Sequence, residues 1–280
     1  SINNNCKINF TTKRLKLPKI RSWIKYRDNR IFKEKIRRIT ISKSRTDKYY
    51  ASILIDIEAS VKPIKKIDSS KIIGFDMSSS KFLITKEFEL TNPRFYRNQE
   101  SKIRRLNKEL HRRKKGFSNR KRTRITLARI YEKIYSQRSD WIHKITHYLS
   151  EHFDCIILED LNIKGIQKFN SGLSKSITLD FSWNRFLNIL KYKMVSKGKH
   201  LILIDRFYPS SQICSKCGYQ NNNLTLSERK WLCPECKCEH NRDINASINI
   251  KKKGIDNLLE SNPDITIIDS EKNNDSMVGT

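Results

Sequence analysis

Residues 72–85 read IIGFDMSSSKFLIT. IIGFD is a short apolar run that stops at an acid, Asp76, and KFLIT beyond the serines is predicted to be its hairpin partner. The same pattern recurs at 155–160, CIILED, where the run stops at Glu159 with Asp160 beside it. A third apolar strand is predicted at 200–207, HLILIDRF. Between these runs the period changes. Ile103, Leu106 and Leu110 follow helical spacing, as do Leu127, Ile130, Ile134, Trp141 and Ile145, with a turn at KKGFSN (114–119) between them. SWNRFLNILKYKMVSKG (182–198) reads as an amphipathic helix stopped at Gly198. Strands alternating with helices predict an α/β core, and in such a core strand ends converge on one edge of the sheet.

Working outward, residues 36–58, IRRITISKSRTDKYYASILIDIE, alternate on both sides of a polar step and predict a β-hairpin. LPKIRSWIKYRDNR before it belongs to the same small β unit, and VKPIKKIDSSK links that unit to the core. After Gly254 the charge changes sign, with six acids and one lysine from Ile255 to Thr280, a composition that predicts a disordered acidic tail over 255–280.

The 280 residues carry a formal net charge of +29, from 58 Lys and Arg against 29 Asp and Glu. Such an excess points to a polyanionic partner, nucleic acid by default. It is densest in the helical pair: residues 101–124 hold twelve Lys and Arg against the single acid Glu109. Arg104, Arg105, Lys108, Arg112, Arg113, Lys114, Lys115, Arg120, Lys121, Arg122 and Arg124 are the expected nucleic-acid contacts. Phe117, Tyr131 and Tyr135 are available for base stacking or for the core, and Trp141 is assigned to the core. No apolar run is long enough to span a membrane and no secretory signal is visible. A cytoplasmic, nucleoid-associated protein of a prokaryotic or mobile-element context is expected, with no membrane partner. The first residue is Ser, so a processed or shortened N-terminus is expected.

Cys214, Cys217, Cys233 and Cys236 give C-x2-C-x15-C-x2-C, the spacing of two metal-binding knuckles that close a tetrahedral Zn²⁺ site. Gly218 suits the tight turn of the first knuckle. All four positions are filled by thiolates, so the zinc is structural. Cys238 is an additional thiol beside the cluster, while Cys6 and Cys155 stand apart, Cys155 in a core strand. Immediately after this segment Asp243 opens a helical run, RDINASINIKKK. Alone it reads as a helix N-cap. Together with Asp76 and Glu159 it makes a third carboxylate for one sheet edge. Three such groups repel unless cations lie between them. Two divalent ions resolve that repulsion and clamp a scissile phosphate, and Mg²⁺ suits hard oxygen ligands. Asp160 and Asp205 are rival acids, with Asp160 alternating away from Glu159.

These residues together resemble the TnpB (OrfB) family, transposon-encoded nucleases related to the type V CRISPR effectors. YPSSQICSKCGYQNNNLTLSERKWLCPECKCEHNRDINASINI (208–250) is similar to the family's zinc ribbon and last RuvC segment. IIGFDMSSSKFLIT is similar to its first RuvC segment, and IILEDLNIKGI (156–166) to its second. LPKIRSWIKYRDNR with the following hairpin resembles its wedge β-domain. The resemblance covers about residues 15–253. It implies an RNase H-like (RuvC) mixed sheet with helices, an inserted zinc ribbon and a small N-terminal β remnant of wedge type.

The implied boundaries are 1–66 for the wedge-type remnant and 67–212 for the nuclease core with its basic helical hairpin (about 97–150). The ribbon would take 213–240, the final nuclease segment 241–254 and the tail 255–280. The resemblance further implies Asp76, Glu159 and Asp243 as catalytic Mg²⁺ ligands, a guide RNA from the transposon end, and cleavage of DNA, with base pairing supplying specificity. Family members begin further upstream, so an N-terminally shortened copy is expected. The chain has MSSSKF where the family carries a Gly-containing turn, and Asn241 where it commonly has an acid. Two alternatives remain: a nuclease-inactive copy that acts only in DNA or RNA binding, and a zinc-ribbon component of an RNA assembly.

Overall fold

The computed structural model of the chain describes residues 6–57, 61–78, 81–168, 176–225 and 227–269. By its contacts the chain divides into two units. One comprises 1–60 with 105–131, the other 61–104 with 132–280.

In the first unit, strands β1 (Lys7–Asn9), β2 (Arg14–Lys16) and β3 (Ile24–Lys25) form an antiparallel sheet. β4 (Ile36–Lys43) and β5 (Tyr49–Ile55) form the expected hairpin. Leu15, Leu17 and Ile39 are buried, with Ile8, Tyr26, Ile36 and Ile53 packed against them, so both sheets share one small core. The helical pair is also present as α1 (Glu100–Arg112) and α2 (Ser118–His152). Its distal part, 105–131, groups with this β unit, not with the later strands.

The second unit begins with β6 (Lys66–Asp68), β7 (Ile72–Gly74), β8 (Lys81–Ile84) and β9 (Glu89–Thr91). It continues with β10 (Cys155–Glu159), α3 (Ile163–Lys168), α4 (Trp183–Ser196) and β11 (His200–Ile204). Then come β12 (Lys230–Leu232), β13 (Glu239–Asn241), α5 (Arg242–Ser261) and β14 (Thr266–Ile268). The central sheet has the order β11-β10-β7, all parallel. An antiparallel bridge between Asp76 and Ile84 joins β8 to the end of β7, which makes the architecture mixed.

β10 is apolar up to its last residue, Glu159, because both of its faces are covered. Ile156 and Leu158 point into a cluster with Ile142 and Leu149 of α2 and Phe186, Leu190 and Met194 of α4. Cys155 and Ile157 point into a second cluster with Ile250 and Leu258 of α5. Trp141 lies edge-on to Phe82, centroids 4.7 Å apart, at the rim of the first cluster. β11 is less enclosed than its composition predicts. It is an edge strand, with Leu203 42% exposed and Ile204 fully buried. Gly198, at φ 69°, follows α4 as expected.

The predicted disordered tail needs correction over 255–269. α5 runs on to Ser261, and β14 then pairs in parallel with β6. The apolar residues inside the acidic stretch explain the difference: Leu258 and Ile265 are buried in the α5-side core. Residues 270–280 lie outside the described residues. None of the described helices is long and apolar enough to cross a membrane.

α5 lies very close to β7 at Gly74. A Cβ there would stand 2.5 Å from the backbone N of Lys251 and 2.6 Å from the carbonyl O of Ser247. Backbone atoms cannot move aside as a side chain can, so Gly74→Ala must push α5 off the sheet. A loss of about 1–3 kcal/mol is expected, read as a lower melting temperature. An unchanged melting temperature would contradict this close approach.

Candidate active site and thiol cluster

Because β7 and β10 run parallel and adjacent, their C-terminal ends emerge at the same edge. Asp76 follows β7 by two residues, held by reciprocal backbone hydrogen bonds with Ile84 (3.0 and 2.8 Å). Glu159 is the last residue of β10. Asp243 arrives from the first turn of α5, whose packing on β7 and β10 fixes where that turn sits. The three acids, 83 and 84 residues apart in sequence, line one open cleft of about 370 Å³ with Ser210, Arg206, Arg229 and Arg242. Asp160 is not among the residues that line the cleft and pairs with Arg206, which is. Asp205 accepts from the backbone N–H of Phe207 (2.7 Å) in a local turn.

The electrostatics follow from this convergence. Burial, then the charges of Glu159 and Asp243, push the Asp76 carboxyl up to about 8. Burial also raises Glu159, against the hydrogen bond it accepts from the Ser210 hydroxyl (2.6 Å). Asp243 is instead compensated by cations: Arg229 Nη1 donates to both carboxylate oxygens at 2.8 and 3.0 Å, and Arg242 Nε lies 3.6 Å away. A site in which one carboxyl is pushed up to about 8 by burial and its neighbours' charges, and another is matched with arginine, is one that a divalent cation would relieve.

Read alone, Asp243 is a helix N-cap, but in the structure that role falls to Asn241. Its side chain accepts from the N–H groups of Asp243 and Ile244 at 3.1 and 3.2 Å. Asp243 lies two positions further on and is left free of backbone duty. Arg229 was not anticipated from sequence. The signal was present in the ribbon: a hairpin turning between Cys233 and Cys238 pairs Lys230 with Asn241, which brings Arg229 beside Arg242. The backbone N–H of Arg242 indeed donates to the Arg229 carbonyl at 2.9 Å.

The four thiols of Cys214, Cys217, Cys233 and Cys236 lie within 4.8 Å of one another. The pairs Cys214–Cys236 and Cys217–Cys233 are each 3.6 Å apart, close to the edge of a tetrahedron with metal–sulfur bonds of about 2.3 Å. They can hold a metal ion. Two matching turns build the cluster. Gly218 N–H donates to the Cys214 carbonyl at 2.9 Å with φ 82°, and Lys237 N–H donates to the Cys233 carbonyl at 3.0 Å with φ 55°. Cys214 is brought down to about 6; burial opposes the shift, but the N–H groups of Cys217 and Lys216 outweigh it. Cys238 is not among the four, and its carbonyl accepts from Cys233 N–H (2.9 Å). His240, which sequence reading also missed, places Nε2 3.0 Å from Cys214 Sγ. Cys155 is a buried core thiol, pushed up to about 12 by burial.

The basic residues do not form one class. Arg104 pairs with Glu100 (2.7 Å). Arg113 binds Glu109 and the Asn119 carbonyl, while Arg120 binds the carbonyls of Leu110 and Arg113, so these two arginines staple the α1–α2 turn. Arg105, Lys108, Arg112, Lys114, Lys115, Lys121, Arg122 and Arg124 are exposed, as is Phe117. Tyr135 lies under the Arg185 guanidinium, 4.7 Å from its ring.

A family model described as "Probable transposase" (OrfB_IS605) matches residues 52–170, and one described as "Cas12f1-like, TNB domain" matches 183–250. A Streptomyces pristinaespiralis protein named "Putative RNA-guided DNA endonuclease" is 31% identical over 217 residues, 78% of this chain and 52% of that protein. "Putative RNA-guided DNA endonuclease InsQ" of Escherichia coli K12 is 29% identical over 265 residues, 89% and 64% of the two chains. The chain thus spans about half to two thirds of the length of these relatives. Among solved structures, a Cas12f1–sgRNA–target DNA complex matches with TM-score 0.54 at 19% identity, covering 76% of this chain and 44% of that one. A CRISPR-Cas12f ternary complex matches at 0.51 and 20%. These likenesses extend to an α/β fold of the same kind.

Proposed function

Since the chain belongs to the TnpB (OrfB) family, we propose that it acts as an RNA-guided DNA endonuclease on an RNase H-like (RuvC) core. The observation that carries this reading is the cleft itself. Acids from two parallel strand ends and a helix start face one space, and the Asp76 carboxyl is pushed up to about 8 beside the other two. Asp76, Glu159 and Asp243 would hold Mg²⁺. The donor set is all oxygen, as that ion prefers, and its repulsion is the kind a divalent cation offsets. When bound, such ions supply Lewis-acid activation of water and stabilise the charge on the leaving oxygen. The chain's own residues have separate tasks. Ser210 orients Glu159, the Asn241 cap frees the Asp243 carboxylate, and the close seat of α5 on Gly74 sets the third acid against the other two.

The four cysteines would hold structural Zn²⁺, and the thiol spacing supports that choice. The β1–β5 unit is the candidate wedge element. The exposed cations of the α1–α2 turn are candidates for guide or target backbone contacts, where each lost charge should lower the salt dependence of binding by about one unit of slope.

The test is expression from the native locus, sequencing of the co-purified RNA, and incubation with guide-matched DNA. Transposon-end RNA with Mg²⁺-dependent cleavage of matched DNA alone is the expected result. Salt-sensitive binding without product would instead identify a binding protein.

A further inference from the structure

We infer that Arg229 is a resident counter-ion for Asp243, and that it must leave this carboxylate before a divalent cation can be held there. The inference rests on the proposed function, which makes Asp243 a metal ligand. One guanidinium nitrogen of Arg229 engages both carboxylate oxygens, at 2.8 and 3.0 Å. An oxygen so engaged cannot present the same lone pair to an ion. A dication on those oxygens would also stand within about 5 Å of the guanidinium charge, where like charges repel strongly in a partly buried cleft.

The two partners differ in freedom. The Asp243 side chain is 16% exposed and fixed at the start of α5, whereas that of Arg229 is 52% exposed. Arg229 lies just before β12 in the ribbon, and its backbone is tied to the helix start through Arg242 N–H. Its side chain can swing while its attachment stays put. The latch is thus carried by the thiol-clustered ribbon and closes on the adjoining acid site, so the two sites are coupled by a side chain as well as by chain continuity. Arg206 offers an internal contrast. It lines the same cleft with the same charge, but it is paired with Asp160.

A competing contact of this kind lowers apparent metal affinity by the fraction of molecules in which Asp243 is free. For a partly exposed charge-assisted pair that is about five- to tenfold. The experiment is calorimetric titration of Mn²⁺ into the zinc-loaded full chain without nucleic acid, for the parent, Arg229→Gln and Arg206→Gln. Zinc content and melting temperature confirm that each variant is folded. Arg229→Gln should bind Mn²⁺ about five- to tenfold more tightly, and Arg206→Gln should shift by less than about twofold. Equal shifts in both variants would reduce the effect to general cleft charge and overturn the latch. An unchanged Arg229→Gln affinity would overturn it while leaving the metal site standing. Absence of Mn²⁺ binding in parent and Arg229→Gln alike would bring down the metal reading of the cleft, and the latch with it.

Discussion

Asp76→Asn should abolish Mg²⁺-dependent cleavage and, in the same protein without Mg²⁺, raise stability at pH 8. The two effects have one origin. The Asp76 carboxyl is pushed up to about 8 by burial and by the charges of Glu159 and Asp243, whereas an unfolded chain ionises it near about 3.9. Between those values the folded protein binds one more proton than the unfolded chain, so stability falls as pH rises through this window. The penalty is absent at pH 4 and nearly complete at pH 8. Asparagine keeps the shape and cannot ionise, so its stabilising effect should grow from near zero at pH 4 to a few kcal/mol at pH 8. Cleavage should fall at least about 10³-fold, since a ligand carboxylate contributes several kcal/mol to holding charge in the transition state. Melting curves at pH 5 and pH 8, paired with a cleavage assay, check both halves. A variant equally destabilised at both pH values would refute the repulsion account. One that cleaves like the parent would refute the assignment of Asp76.

Cys233→Ser should release the metal of the thiol cluster and, without touching any acid, cut cleavage by about tenfold or more. Cys233 is fully buried and holds the second knuckle, its carbonyl accepting from Lys237 and its N–H donating to Cys238. That knuckle closes the β12–β13 ladder, whose last residue, Asn241, caps α5. Losing the cap contact costs about 1 kcal/mol. Loosening the ladder also loosens the first turn that carries Asp243. Zinc analysis should show the loss of one equivalent. Hydrogen exchange should rise at the α5 N-terminus while β7 and β10 stay protected. Full activity after zinc loss would show the two sites to be independent.

The parts of this site that could be read in sequence were those with a local signature. The cysteine spacing is one, since two CxxC knuckles specify their own turns. The strand-end acids are another, since an apolar run stopped by a carboxylate is visible without a fold. The β4–β5 hairpin and the α1–α2 turn were equally plain. What escaped depends on which groups meet once the chain is folded. Arg113 and Arg120 read as two more cations in a dense run, but backbone carbonyls across the turn make them structural. The acidic stretch after Gly254 read as a tail because its charge outweighs its few apolar residues. Leu258 and Ile265 are nonetheless enough to fold it, given a core already built by β6, β7 and β10.

Sequence alone therefore determined the alternation of strands and helices, the paired spacing of the four cysteines and the strand-end positions of Asp76 and Glu159. Each is set by spacing or composition within a short window. Tertiary structure alone decided that β7 and β10 are parallel neighbours, that α5 seats against Gly74, that Asn241 rather than Asp243 caps it, and that Arg229 closes on Asp243. Those facts depend on which surfaces meet. Packing and electrostatics act through space, between residues whose separation along the chain carries no record of their contact.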